Sequence, residues 1–285
     1  MAVVQALQAA SNALRRNPII IGLLIIISLL QLPTQLVQIA DPIASTAINA
    51  VYSLAFIIAT PFIFGGAIGI ADEALDGRTS FDTFVETGKR YYKSMFGAYL
   101  LVIGAGIGLS IVASLISIAV VAVMGIASGG MSGGMTPMLI GMFLTGTAVF
   151  LLVLFVPLFF VQFYGQAIVL GEKSAISGFQ HSFGLVRQNL MSVFGYSVLV
   201  FAGGLFFGLL ASIPSTLLSL QATQVPMSVP LPELSLTVTV VLTFVGNIVF
   251  GILGSLFLVF SVAFYRTLES VSVSEEPPAS QGTAA

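Results

Sequence analysis

The sequence predicts an all-α polytopic membrane protein with six transmembrane helices, built as three parallel hairpin units, each preceded by an amphipathic helix at the cytoplasmic interface. Three observations lead there. Of 285 residues, 57% are hydrophobic and 7% charged, against roughly a quarter charged in a soluble domain. The polar residues collect in short stretches between apolar runs of about 20 residues or more, the length that crosses about 30 Å of hydrocarbon. The cations, finally, all lie in alternate loops.

The spans are expected near 18–39, 47–71, 95–127, 138–170, 191–221 and 236–265. The first is too long for a signal-peptide core, and no small-x-small cleavage site follows it closely, so it is read as a span. The nine cations are Arg15, Arg16, Arg78, Lys89, Arg90, Lys93, Lys173, Arg187 and Arg266. Each precedes span 1, follows span 6, or lies between 2 and 3 or between 4 and 5. The opposite loops, around Asp41, Ser128–Pro137 and Gln221–Ser235, carry only Asp41 and Glu233. The positive-inside rule then puts both termini in the cytoplasm of a cell membrane. Six of the seven tyrosines, Tyr91, Tyr92, Tyr99, Tyr164, Tyr196 and Tyr265, fall near the same ends, where an aromatic ring stays in lipid and its hydroxyl reaches water. A single six-helix domain over 1–268 is followed by a tail, 269–285, whose Glu275-Glu276-Pro277-Pro278 and small residues lack the apolar content to fold.

The segments before spans 1, 3 and 5 are amphipathic at helical spacing. Their stripes are Val3, Leu7, Ala10 and Leu14; then Phe81, Phe84, Val85, Gly88 and Met95; then Ile176, Phe179, Phe183, Val186 and Leu190. Helices of this kind lie flat at the interface, so Phe81, Phe84, Phe179, Phe183, Arg187 and Asn189 are assigned to it. Thr79 followed by Asp82 resembles a capping box, and Glu86 to Arg90 is a favourable i,i+4 pair. Related junctions lead into the spans, Leu14-Arg15-Arg16-Asn17-Pro18 in the first segment and Val186-Arg187-Gln188-Asn189-Leu190 in the third. The second, Lys89-Arg90-Tyr91-Tyr92, keeps the cation and loses the Asn. Asn17 is placed to cap a helix that Pro18 begins.

A shift of 98 residues superposes Ser80-Phe81 on Gly178-Phe179, Phe96-Gly97 on Phe194-Gly195, and Gly106/Ser110/Ser114 on Gly204/Gly208/Ser212. A shift of 96 brings Pro61 and Gly69 onto Pro157 and Gly165. Three units follow, about 2–72, 79–170 and 174–267. Parallel copies place any symmetry axis along the membrane normal, unlike the inverted repeats of many alternating-access carriers.

Candidate site residues are few. The Gly106, Gly204 and Gly208 ridges, with Asn247/Gly251/Ser255, have the four-residue spacing that lets helices pack closely. Asn247 either bonds a neighbouring helix or contacts a ligand. Pro61 and Pro157 should free the carbonyls of Ile57 and Val153, either lining a cavity or shaping the packing. Gln31, Gln35 and Gln38 share a face of span 1 that either sits at the outer interface or lines a pore. Asp72, Glu73 and Asp76 end span 2 as a solvated cluster or a carboxylate set for a cation.

No ionisable group lies at the middle of a span, which argues against a proton-coupled pump. Cysteine is absent and His181 is the single histidine, so thiol catalysis is excluded and zinc or His-based triad chemistry has no second ligand beside it. Gly129-Gly130 and Gly133-Gly134 lack a P-loop Lys. A net charge of −2 without a basic run points away from nucleic acid. The expected partners are membrane lipids, a protein, or a second copy, with no cofactor and no reaction.

Gly171-Glu172-Lys173-Ser174-Ala175-Ile176, followed by Phe179, Ser182 and Val186-Arg187-Gln188-Asn189, resembles a junction in uncharacterised six-helix membrane proteins of archaea and bacteria. That group is similar to the membrane domain joined to some glycerophosphodiester phosphodiesterases. The resemblance covers nearly the whole chain and implies the six-helix fold. These 285 residues hold no soluble catalytic domain, so it does not imply phosphodiesterase activity. The functional expectation is a non-catalytic membrane protein that organises lipid or partners, with a channel or carrier for a small neutral or lipid-like solute as the alternative and a lipid-acting enzyme third.

Overall fold

Apolar runs of this length satisfy their backbone inside lipid only as helices or closed barrels. The computed structural model describes residues 2–40, 42–127, 137–222 and 235–274, and among them every element is a helix. In chain order these are α1 (Ala2–Arg16), α2 (Pro18–Leu29), α3 (Leu32–Ala40), α4 (Pro42–Asp76), α5 (Phe81–Ala127), α6 (Pro137–Val161), α7 (Tyr164–Val169), α8 (Ala175–Gln188), α9 (Leu190–Ala222) and α10 (Leu236–Ser274). Six segments are long and apolar enough to cross a membrane: Pro18–Val37, Ile48–Asp76, Phe81–Val123, Ile140–Val169, Leu190–Leu209 and Thr237–Val271. All six expected spans are there. The loop residues Asp41, 128–136 with both glycine pairs, and 223–234 with Glu233 lie outside the described residues, as do 275–285 of the tail. Residues 269–274, read as tail, are instead the end of α10.

The junction chemistry decides where helices break. Introductory helix and span separate at Asn17 and again at Asn189, whereas α5 runs unbroken through Tyr91 and Tyr92, where the amide is missing. Pro33 cannot donate to the carbonyl of Leu29, and its ring crowds that carbonyl, so α2 ends at Leu29. The Tyr52 hydroxyl of α4 donates to the neighbouring carbonyl of Leu30. The starts are capped by serine: Thr83 N donates to Ser80 Oγ, Ser177 N to Ser174 Oγ and Val238 N to Ser235 Oγ, at 3.3 to 3.4 Å. The capping residue of α5 is therefore Ser80 and not Thr79.

The chain divides into two compact units, Met1–Tyr92 with Gln188–Ala285, and Lys93–Arg187. In the first, α10 is the central helix and packs on α1, α2, α4 and α9. Its core includes Ile20, Ile68, Ile70, Phe260, Phe264 and Tyr265. The start of α5 lies against α4 because that helix offers glycine: a Cβ on Gly69 would stand 2.5 Å from Thr87, and one on Gly66 would strike the Phe84 backbone. Gly88 takes Phe62 in the same way.

In the second unit, α8 lies against α7 and the end of α6. A Cβ on Gly178 would stand 2.8 Å from the Ile168 side chain. Between α6 and α7 the backbone is broken at Gln162–Phe163, and fully buried Ser182 of α8 accepts from Phe163 N and donates to Phe160 O, both at 3.1 Å. Ser182→Ala would remove both bonds at a fully buried position. It is expected to lower stability by about 1–3 kcal/mol, read as an earlier unfolding midpoint in detergent. Glu172, in the turn before α8, has φ 50, a left-handed conformation unusual for a side-chain-bearing residue.

Candidate functional site

The densest polar cluster in the first unit surrounds the end of α4 that carries Asp72, Glu73 and Asp76. Helix C-termini leave carbonyls without intrahelical partners and bear partial negative charge. Here two side chains distant in sequence take them. Asn17, 3% exposed, donates from Nδ2 to Ala74 O at 3.4 Å and Gly77 O at 2.9 Å, and to Ala13 O of its own helix at 3.0 Å. Its Oδ1 accepts from Thr79 N at 2.9 Å. The expected cap on α2 is thus not made. The amide instead clamps the 77–79 turn to the α1–α2 junction.

Arg266 approaches from α10. Nε meets Asp72 Oδ1 at 2.6 Å, Nη1 and Nη2 meet the two oxygens of Asp76 at 2.7 and 2.8 Å, and Nη2 also donates to Asp72 O at 3.2 Å. The fork of the guanidinium matches two carboxylates one turn apart, a geometry that a lysine cannot reproduce. Glu73 accepts from the Thr79 and Thr83 hydroxyls, both at 2.6 Å. The acidic trio, considered above as a cation site, is thereby engaged by an arginine and two hydroxyls, and no set of three His, Asp or Glu among the described residues could hold a metal ion. Arg266→Lys is expected to lower stability by about 1 kcal/mol, because Asp72 and Asp76 are partly exposed and the pairs are screened. A double-mutant cycle with Asp76→Asn on the unfolding midpoint measures it.

A second polar node sits inside the first unit's bundle. Asn247 Nδ2 donates to Gln35 Oε1 at 3.0 Å and Thr243 O at 2.8 Å, while Ser28 Oγ donates to Asn247 O at 2.7 Å. The amide thus bonds a neighbouring helix, and Gln35 turns toward α10. One turn along, Gly251 is pressed on α2, where an added Cβ would stand 2.6 Å from Ile25 Cα. Gln31 is exposed, and the Gln38 side chain lies outside the described residues.

The remaining assigned residues separate. Pro61 is buried within an unbroken α4 and Pro157 is exposed within an unbroken α6. Of the ridge glycines named above, only Gly251 has a close neighbour. A Cβ on Gly106, Gly204 or Gly208 would meet nothing within 4 Å, and the Ser212 side chain is outside the described residues. Among the interfacial aromatics, Phe81 and Phe183 are exposed, but Phe84 is buried at 5% under Gly66 and edge-on to Phe62. Phe179 stacks on Tyr164 at 4.9 Å. Arg187 is exposed, and half-buried Asn189 accepts from Val193 N at 3.0 Å. Sequence reasoning missed the clamp of Asn17, the clasp of Arg266 and the bridging role of Ser182. The recurrence of Asn at both broken junctions was the available signal.

Six helices long and apolar enough to cross a membrane define a multi-pass α-helical membrane protein. The chain belongs to the family described as Domain of unknown function (DUF7847), matched over residues 1–268. No curated protein and no solved structure matches it.

Proposed function

We propose that this is a non-catalytic protein of a prokaryotic cytoplasmic membrane, with both termini in the cytoplasm, that organises lipid or partner proteins at that surface. The observation that carries the reading is the two-sidedness of the short helices. Each is packed through one face and leaves large apolar groups exposed: Val4 on α1, Phe81 at the start of α5, Ile176 and Phe183 on α8. Such a face suits the boundary between headgroups and acyl chains.

The three-unit plan belongs to the same proposal. In α1 the buried positions Ala6, Ala10, Ala13 and Leu14 have the spacing of Gly178, Ser182, Leu185 and Val186 in α8, and the shift of 172 that relates them also aligns Asn17 with Asn189. The start of α5 packs on the end of α4, α8 on the end of α6 and α7, and α1 on α10. Kinship with the membrane domain joined to some glycerophosphodiester phosphodiesterases is part of this reading, without its partner's activity.

Replacing Phe81, Ile176 and Phe183 together by Ser is expected to reduce the lipid or protein retained on gentle extraction from native membranes, at unchanged folding. Unchanged retention would overturn the proposal. Phe84 is left out because its loss would open the core. The carrier alternative would need the Asn247 amide, which here is bonded to Gln35 and its own helix.

A further inference from the structure

We infer that Arg15, Arg16 and Arg78 form a binding site for an anionic phosphate group, supplied by the headgroup of a membrane lipid. The inference rests on the proposal above only in placing these residues at the membrane surface. The juxtaposition comes from Asn17. Its amide holds Gly77 O and Thr79 N, both at 2.9 Å, so the backbone of Arg78, between them, is fixed beside the junction whose previous two residues are Arg15 and Arg16. Sixty residues of chain are bridged by one side chain, which brings the backbone of Arg78 beside the end of α1 that carries Arg15 and Arg16.

All three are exposed, and none has an ion-pair partner among the described residues. The three carboxylates at the end of α4 are engaged elsewhere, Asp72 and Asp76 by Arg266 and Glu73 by Thr79 and Thr83.

A plainer role for these arginines is to offset the negative ends of α1 and α4. Several of those carbonyls are already engaged. Ala13 O accepts from Asn17 N at 3.0 Å and Leu14 O at 3.2 Å, while Ala74 O and Asp72 O accept from Asn17 and Arg266. What is left is three planar, permanently charged forks with no ion-pair partner among the described residues. Guanidinium groups recognise phosphate oxygens in pairs, and cations beside a bilayer are drawn to anionic headgroups.

The test titrates the full chain in neutral detergent with short-chain phosphatidylglycerol, with phosphatidylcholine and with inorganic phosphate, following the unfolding midpoint. Phosphatidylglycerol is expected to protect, the other two not. Replacing Arg15, Arg16 and Arg78 by Gln is expected to raise the half-protecting concentration on the order of a hundredfold, about fivefold for each arginine. A charge-matched control, Lys89, Lys93 and Lys173 to Gln, is expected to shift it less than about threefold, roughly half the effect of one such cation.

Equal shifts in the two triple variants would mean diffuse attraction and overturn the site, as would protection by phosphatidylcholine as strong as by phosphatidylglycerol. Protection by inorganic phosphate equal to that by lipid would overturn the lipid source. The Phe81, Ile176 and Phe183 variant keeps all three arginines, so protection that survives in it separates failure of the wider proposal from failure of this site.

Discussion

Asn17→Ala is expected to be among the most damaging substitutions in the chain, lowering stability by about 3 kcal/mol. The replacement removes the Oδ1 acceptor and both Nδ2 hydrogens, which are shared among three carbonyls, at a residue 3% exposed. It takes this partner from the Thr79 N–H and from the carbonyls of Ala74, which is buried, and Gly77, which is half-buried. An unpaired buried group costs about 1–3 kcal/mol, more than a typical bond contributes while it is made. Asn17→Asp sharpens the test. It keeps the acceptor for Thr79 N but faces the carbonyls with a carboxylate, and is expected to be no better than Ala. A midpoint for either variant within about 1 °C of the parent, against a shift of roughly 2–4 °C per kcal/mol, would show that the clamp is not needed for the fold.

The second large effect concerns glycines that look alike in sequence and differ in place. Gly251→Ala drives a methyl into the Ile25 backbone at 2.6 Å, which no rotamer change relieves. The helices must move apart, and Ser28 and Gln35 must let go of α10. The expected loss is about 2–3 kcal/mol, the upper range for overpacking. Gly106→Ala and Gly204→Ala meet open space and are expected to stabilise by about 0.5–1 kcal/mol through higher helix propensity. Unfolding midpoints of the three variants in one detergent decide the matter. A loss at Gly106 or Gly204 as large as at Gly251 would mean that those ridges carry a contact beyond the chain.

The legible part of this protein is the part that adds up along the chain. Span positions follow from local hydropathy, although the break after Leu29 inside the expected first span was not foreseen. The segments before spans 1, 3 and 5 are helical as expected, yet the fate of each aromatic was not legible. Phe81 and Phe84 belong to one apolar stripe, but Gly66 opens a place on α4 for Phe84 alone, leaving Phe81 exposed. Helical spacing says which residues share a face, and the size of the residues on the facing helix says which of them sinks into it. The acidic cluster misled for a related reason. Its charge was plain in the sequence, but its partner lies far along the chain.

By itself, the sequence determined the all-α class, the six crossings and the division of the polar residues between the two sets of loops. These depend on transferring each segment into hydrocarbon, a quantity summed over about 20 neighbouring residues and indifferent to the rest of the chain. The tertiary structure alone decided which polar groups meet. Asn247 finds Gln35 across 212 residues, Arg266 finds Asp72 across 194 and Asn17 finds Thr79 across 62. Each buried donor or acceptor must be paired, and the pairing that avoids an orphan is settled only when the helices have packed.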